Sequence, residues 1–169
     1  MSRDKDSKKR RKQKKKNKAK KKCPHCSSGP ETFRFMQDIF NFDVDLAREI
    51  VNDGREPTEL DHDDVEYSVD ICRIYPEHVK HVNPEYPGIV AHYWYPEPDG
   101  TVLHGHVVID GHHRAARCLK DGLPYRVHIL SEDESRRVVI TGPDIDSILA
   151  DLETGSIGVE QREPAGVGC

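Results

Sequence analysis

The chain of 169 residues is 33% charged and 35% hydrophobic with a net charge of −4, a composition that predicts one modest domain with polar ends. That net charge conceals a split: residues 1–22 hold 14 Lys or Arg and two acids, whereas the remainder holds 12 bases and 28 acids. No apolar run reaches membrane-spanning length and no apolar segment follows the basic start, so neither a membrane protein nor a secreted one is expected, and the default home is cytoplasmic.

Residues 1–22, MSRDKDSKKRRKQKKKNKAKKK, contain no large apolar side chain beyond Met1, so nothing there offsets the entropy of ordering and a disordered arm is predicted. Such a run binds phosphate backbones by releasing counterions, which makes nucleic acid its expected partner. The expected setting is nucleoid-associated, or nuclear if the source has a nucleus. A solvated tail and an arm lying on its own acidic body are the other readings. Cys23-Pro24-His25-Cys26 follows. Its two thiols, Cys23 and Cys26, make half of a zinc site that His62, Cys72 or a second chain would complete, or else an exposed, oxidisable pair. The five cysteines are odd in number and scattered, which argues for reduced thiols rather than a disulfide framework. Residues 1–30 are therefore read as the arm, 31–155 as the folded domain and 156–169 as a flexible tail.

The domain opens with Phe33, Phe35, Ile39, Phe40 and Phe42, dense enough to dock on a core. A helix is predicted from about Asp43 to Asp53, with Leu46, Ala47, Ile50 and Val51 on one stripe. Residues 56–64 are acidic, contain Pro57 and read as a surface loop. Tyr67 to Tyr75 alternates and predicts a strand, and residues 76–87 form a Pro-rich connection with one helical turn near Glu77–Lys80. Gly88–Tyr95 and Val102–Ile109 predict a hairpin across Pro96–Gly100. His104 and His106 share one strand face, a transition-metal spacing that His92 or His112 would complete into a metal-dependent oxygenase or hydrolase, although no carboxylate ligand stands at a convincing distance.

Asp110-Gly111 turns the chain into a helix that ends at Gly122, with Leu123 and Pro124 closing it. The helix start carries His112, His113 and Arg114, so unpaired N–H groups, an Arg and two imidazoles stand together, the arrangement that attracts a phosphate. Gly111 lets backbone approach the anion, and also suits a tight turn. His112 and His113 are candidate proton carriers or phosphate donors. Asp110 either holds the Mg2+ that accompanies a nucleotide or caps the helix. A strand over Tyr125–Leu130, a short helix at Ser131–Ser135, an edge strand within Arg136–Thr141 and an amphipathic helix from Pro143 to near Gly155 complete the domain.

The strand, the DGHHR turn, the helix with Ala115 and Ala116 and the return strand resemble the core of the ParB/sulfiredoxin superfamily, over roughly residues 65–135 with the specific part confined to about a dozen. The resemblance implies a small α+β domain with a mixed sheet of that type and flanking helices. It also implies a nucleotide of the ATP or CTP type, or another phosphate ester, bound with Mg2+ at Gly111–Arg114. Where sulfiredoxin has its nucleophilic Cys this chain has His112, so sulfinic-acid reduction is not expected. An enzyme of this type would be a nucleotide hydrolase or phosphotransferase with His112 and His113 as its catalytic pair. The competing readings are a non-catalytic nucleic-acid adaptor with a structural DGHHR turn, and a ParB-like nuclease. No helix-turn-helix follows the ParB-like part, which argues against site-specific chromosome partitioning.

Overall fold

The computed structural model describes residues 29–155 and the backbone of 158–160; the Lys-rich arm and the Cys23/Cys26 pair lie outside these. It is a small mixed α+β domain. In chain order the elements are β1 (Thr32–Phe35), β2 (Phe40–Asp43), α1 (Val44–Val51), β3 (Thr58–Glu59), α2 (His62–Asp70), α3 (Pro76–Val79), β4 (Gly88–Pro96) and β5 (Thr101–Asp110), followed by α4 (His112–Asp121), β6 (Arg126–Ile129), α5 (Glu132–Val138), β7 (Val139–Thr141), α6 (Ile145–Glu153) and β8 (Gly158–Glu160).

The five-stranded sheet runs β3-β6-β4-β5-β8 and the three-stranded sheet β1-β2-β7. The β4–β5 hairpin is antiparallel, whereas β6 and β8 add to it in parallel. A parallel neighbour requires a crossover, and β5 with α4 supplies the one that carries the chain from β4 to β6. β8 lies in the stretch read as a loose tail, and its backbone pairs with Thr101–Leu103.

Period-two alternation gives the hairpin two different faces. Ala91, Tyr93, Val107 and Ile109 pack with Phe35, Phe40 and Phe42 of the smaller sheet and with Leu130 and Val138. The other face buries Val90 and Val108 against Val65, Ala115 and Cys118 at one end, and Trp94 and Val102 against Ile145 and Ile148 of α6 at the other. Between those two patches the same face carries His92, His104 and His106, with His92 opposite His106 and Trp94 opposite His104.

One element departs from expectation. The segment predicted as a strand at Tyr67–Tyr75 is helical up to Asp70. Its start lies earlier than the alternation suggested, in the acidic stretch read as loop: Asp63 and Asp64 stand in the first turn, where carboxylates are favoured by the helix dipole. Val65 and Ser68 are its buried residues, with Val69 packed beside Val65, a helical spacing that the period-two pattern of Tyr67, Val69 and Ile71 masked. The aromatic segment at Phe33–Phe42 is a hairpin in which Met36, Gln37 and Asp38 all have positive φ.

Candidate functional site

The DGHHR turn is built by close packing. Gly111 has φ +106°, and a Cβ there would lie 2.2 Å from the Tyr125 hydroxyl, so both backbone conformation and space demand glycine. Tyr125 donates to the Gly111 carbonyl at 3.1 Å. A Cβ on Gly88 of β4 would meet the same hydroxyl at 2.0 Å. One tyrosine thus fixes the point where β5 becomes α4.

Asp110 does not cap α4. The N-cap is Gly111, which has no side chain to offer, and the Asp110 carboxylate is occupied elsewhere. Arg48 of α1 grips it with two donors, Nε to Oδ2 at 3.1 Å and Nη2 to Oδ1 at 2.9 Å, and Arg114 Nη2 reaches Oδ2 at 2.8 Å. Burial by itself raises a carboxyl pKa, but the charges of Arg114 and Arg48 outweigh it and hold Asp110 below its ordinary value. Arg48 also donates to Glu31 at 2.7 Å. Arg48 is the residue that sequence reading missed; it stands 62 positions from Asp110, with no motif to connect them.

Arg114 turns back onto its own turn, with Nη2 also donating to the Pro87 carbonyl at 3.2 Å and Nε buried without a hydrogen-bond partner. His112 is 8% exposed and stacks on Phe33 at 4.8 Å between centroids. Its Nε2 has no hydrogen-bond partner, while the Val108 carbonyl takes a ring N–H. Burial lowers its pKa to about 4, so the ring is neutral near pH 7. His113 Nε2 accepts from the Tyr75 backbone N–H at 3.1 Å, which requires a lone pair there and ties α4 to the connection before α3. Its ring also meets His78 edge-on at 4.6 Å.

These residues line a cleft of about 810 Å3 whose walls include Arg48, Arg73, Gly111, His112, His113 and Arg114, with Phe33, Tyr75 and Tyr86 as aromatic surfaces. The turn residues Asp110 to Arg114 are thereby all on one cavity.

The second constellation lies on the paired strands β4 and β5, with His92 on the first and His104 and His106 on the second. His92 Nδ1 and His104 Nε2 are 3.0 Å apart, and the His106 ring is 4.2 Å from that of His92. Trp94 stacks flat on His104 at 4.9 Å and 5°. β6 pairs with β4 only at Gly88–Val90; beyond it the His92 backbone N–H donates to the buried Ser135 hydroxyl at 2.9 Å. That bond brings the start of α5 beside the imidazoles, and ligand atoms of His92, His104 and Glu132 fall within 4.8 Å of one another. This is a possible metal-coordinating cluster. Burial and then the neighbouring His106 and His104 lower the His92 pKa to about 4, and burial and His104 lower that of His106. Of the two partners expected for the His104/His106 pair, His92 is present and His112 is not.

No family model, curated protein or solved structure matches this chain. Among the described residues no helix is long and apolar enough to cross a membrane.

Proposed function

We propose that this is a ParB/sulfiredoxin-like domain that binds a nucleotide, or another phosphate ester, in the cleft at Asp110–Arg114, and that the arm of residues 1–22 brings it to nucleic acid. The observation that carries the reading is the convergence, on one cavity, of the α4 N-terminus, Arg114 and Arg48. Helix N–H groups and guanidiniums recognise phosphate oxygens, and the aromatic walls at Phe33, Tyr75 and Tyr86 offer faces for a base. Asp110 acts as the anchor that aims two guanidiniums from different elements. Because both of its oxygens are already engaged, Mg2+ would arrive with the nucleotide phosphates rather than be held by Asp110. His112 and His113 remain the candidates for moving a proton should the nucleotide be hydrolysed or its phosphoryl group transferred.

The test is a thermal-shift screen of the full chain against nucleoside di- and triphosphates with Mg2+, followed by Arg114→Ala and Arg48→Ala. A ligand that binds only the folded state raises Tm by mass action, and each substitution is expected to weaken it about tenfold or more. A chain whose Tm responds to none of them, or whose Arg114→Ala variant binds as the parent does, overturns the reading.

The ion pair between Arg114 and Asp110 favours one second reading, in which the turn is structural and the protein is a non-catalytic adaptor working through its arm. That reading predicts loss of stability in Arg114→Ala with no change in ligand response.

A further inference from the structure

We propose that His92, His104 and Glu132 form a binding site for a divalent transition-metal ion of the zinc class, independent of the phosphate cleft. Two imidazole nitrogens and a carboxylate make up the donor set, which suits zinc, cobalt or non-haem iron and leaves positions open for water or a substrate oxygen. Metal–ligand bonds of about 2.0–2.2 Å set ligand atoms about 3–3.5 Å apart around one ion. The His92 Nδ1 and His104 Nε2 pair, at 3.0 Å, already meets this, and the three ligand atoms together lie within 4.8 Å. Closing the remainder falls to Glu132, an exposed carboxylate whose charge already acts on His92 and His106.

An N–H···N hydrogen bond between neutral imidazoles accounts for the 3.0 Å contact alone. It does not account for the carboxylate facing the pair or for the third imidazole, His106, against His92. The surroundings are those of a held site. Trp94, 2% exposed, stacks on His104 and fixes its plane. The Ser135 hydroxyl locks the start of α5 to β4. His106, exposed on the open side, stands where it would be a fourth ligand or a base beside metal-bound water.

The probe is Co2+, titrated into the full-length chain and followed by its visible absorption. Cysteine ligation at Cys23/Cys26 adds thiolate charge-transfer bands in the near ultraviolet, whereas nitrogen and oxygen ligation does not. We expect a visible spectrum without those bands in the Cys23→Ser/Cys26→Ser variant. Glu132→Gln, an exposed substitution that leaves the fold intact, and His104→Ala should each weaken Co2+ binding about tenfold or more, while His62→Ala leaves it unchanged. Circular dichroism verifies that each variant is folded, and Glu132→Gln decides the matter if His104→Ala is not. Absence of Co2+ binding in the Cys23→Ser/Cys26→Ser variant, or an unaltered affinity in Glu132→Gln, overturns the proposal.

Discussion

Asp110 is a carboxylate 8% exposed that faces two guanidiniums arriving from different helices. Removing its charge strands Arg114, while Arg48 keeps its pairing with Glu31, so Asp110→Asn is expected to lower stability by about 2 kcal/mol, read from the urea midpoint at constant m. The same change frees Arg114 and Arg48 from the positions in which Asp110 holds them. Phosphate-ester affinity is therefore expected to fall by the same factor with and without Mg2+, whereas a Mg2+-ligating Asp110 would lower only the affinity measured with Mg2+. Gly111 offers a second residue-level prediction. Alanine at φ +106° with a Cβ 2.2 Å from the Tyr125 hydroxyl should cost about 2–5 kcal/mol. Tyr125→Phe in the same chain removes the colliding oxygen, so a double-mutant cycle is expected to show a positive rescue that leaves the backbone strain in place.

At the scale of elements, α5 links the two halves of the molecule. Ser131 caps it, accepting from the Glu134 N–H at 3.2 Å, and Glu134 Oε2 accepts in return from the Ser131 N–H at 2.8 Å, a capping box. Glu134 also pairs with Arg55 at 2.6 Å, and that hydrogen bond is the main cause lowering its pKa to about 2. Ser131→Ala is expected to cost about 1 kcal/mol and to loosen the first turn that carries Glu132, so it should weaken Co2+ binding less than Glu132→Gln does. The helix α2 shows how an element escapes a sequence reading. Tyr67, Val69 and Ile71 fit a strand locally, and only the docking of Val65 and Val69 beside Ala115 and Cys118 of α4 selects the helical period. The strand with which the ParB-like reading begins is accordingly helical in this chain.

For the whole molecule, buried histidine sets an acid limit. His112 has its pKa lowered by burial from 6.5 to about 4, so between those values the unfolded chain binds a proton that the native chain refuses. Stability is therefore full above about pH 6.5 and falls as the pH drops toward 4. From His112 alone the loss between about pH 7 and about pH 5 should be of order 2 kcal/mol, measurable as a lower urea midpoint. His112→Phe, which keeps a ring against Phe33, should flatten that slope. The charge asymmetry between the arm and the rest of the chain gives a separate prediction. Deleting residues 1–22 should remove most affinity for DNA or RNA and its salt dependence, as filter binding across a salt series would report.

The sequence by itself determined the parts that depend on neighbours in the chain. The β4–β5 hairpin, the glycine turn into α4, the Gly122 end of that helix and the amphipathic α1 and α6 are all local matters of periodicity, capping and backbone freedom. Tertiary structure decided what depends on partners far apart in sequence. Arg48 meets Asp110, ligand atoms of Glu132, His92 and His104 come within 4.8 Å of one another, and the β1-β2-β7 sheet sets Phe35, Phe40 and Phe42 against the hairpin. The physical reason is that a charge pair or ligand set carries no period and no spacing rule. Only packing two faces of one hairpin, one against aromatic strands and one against helices, brings those side chains within reach.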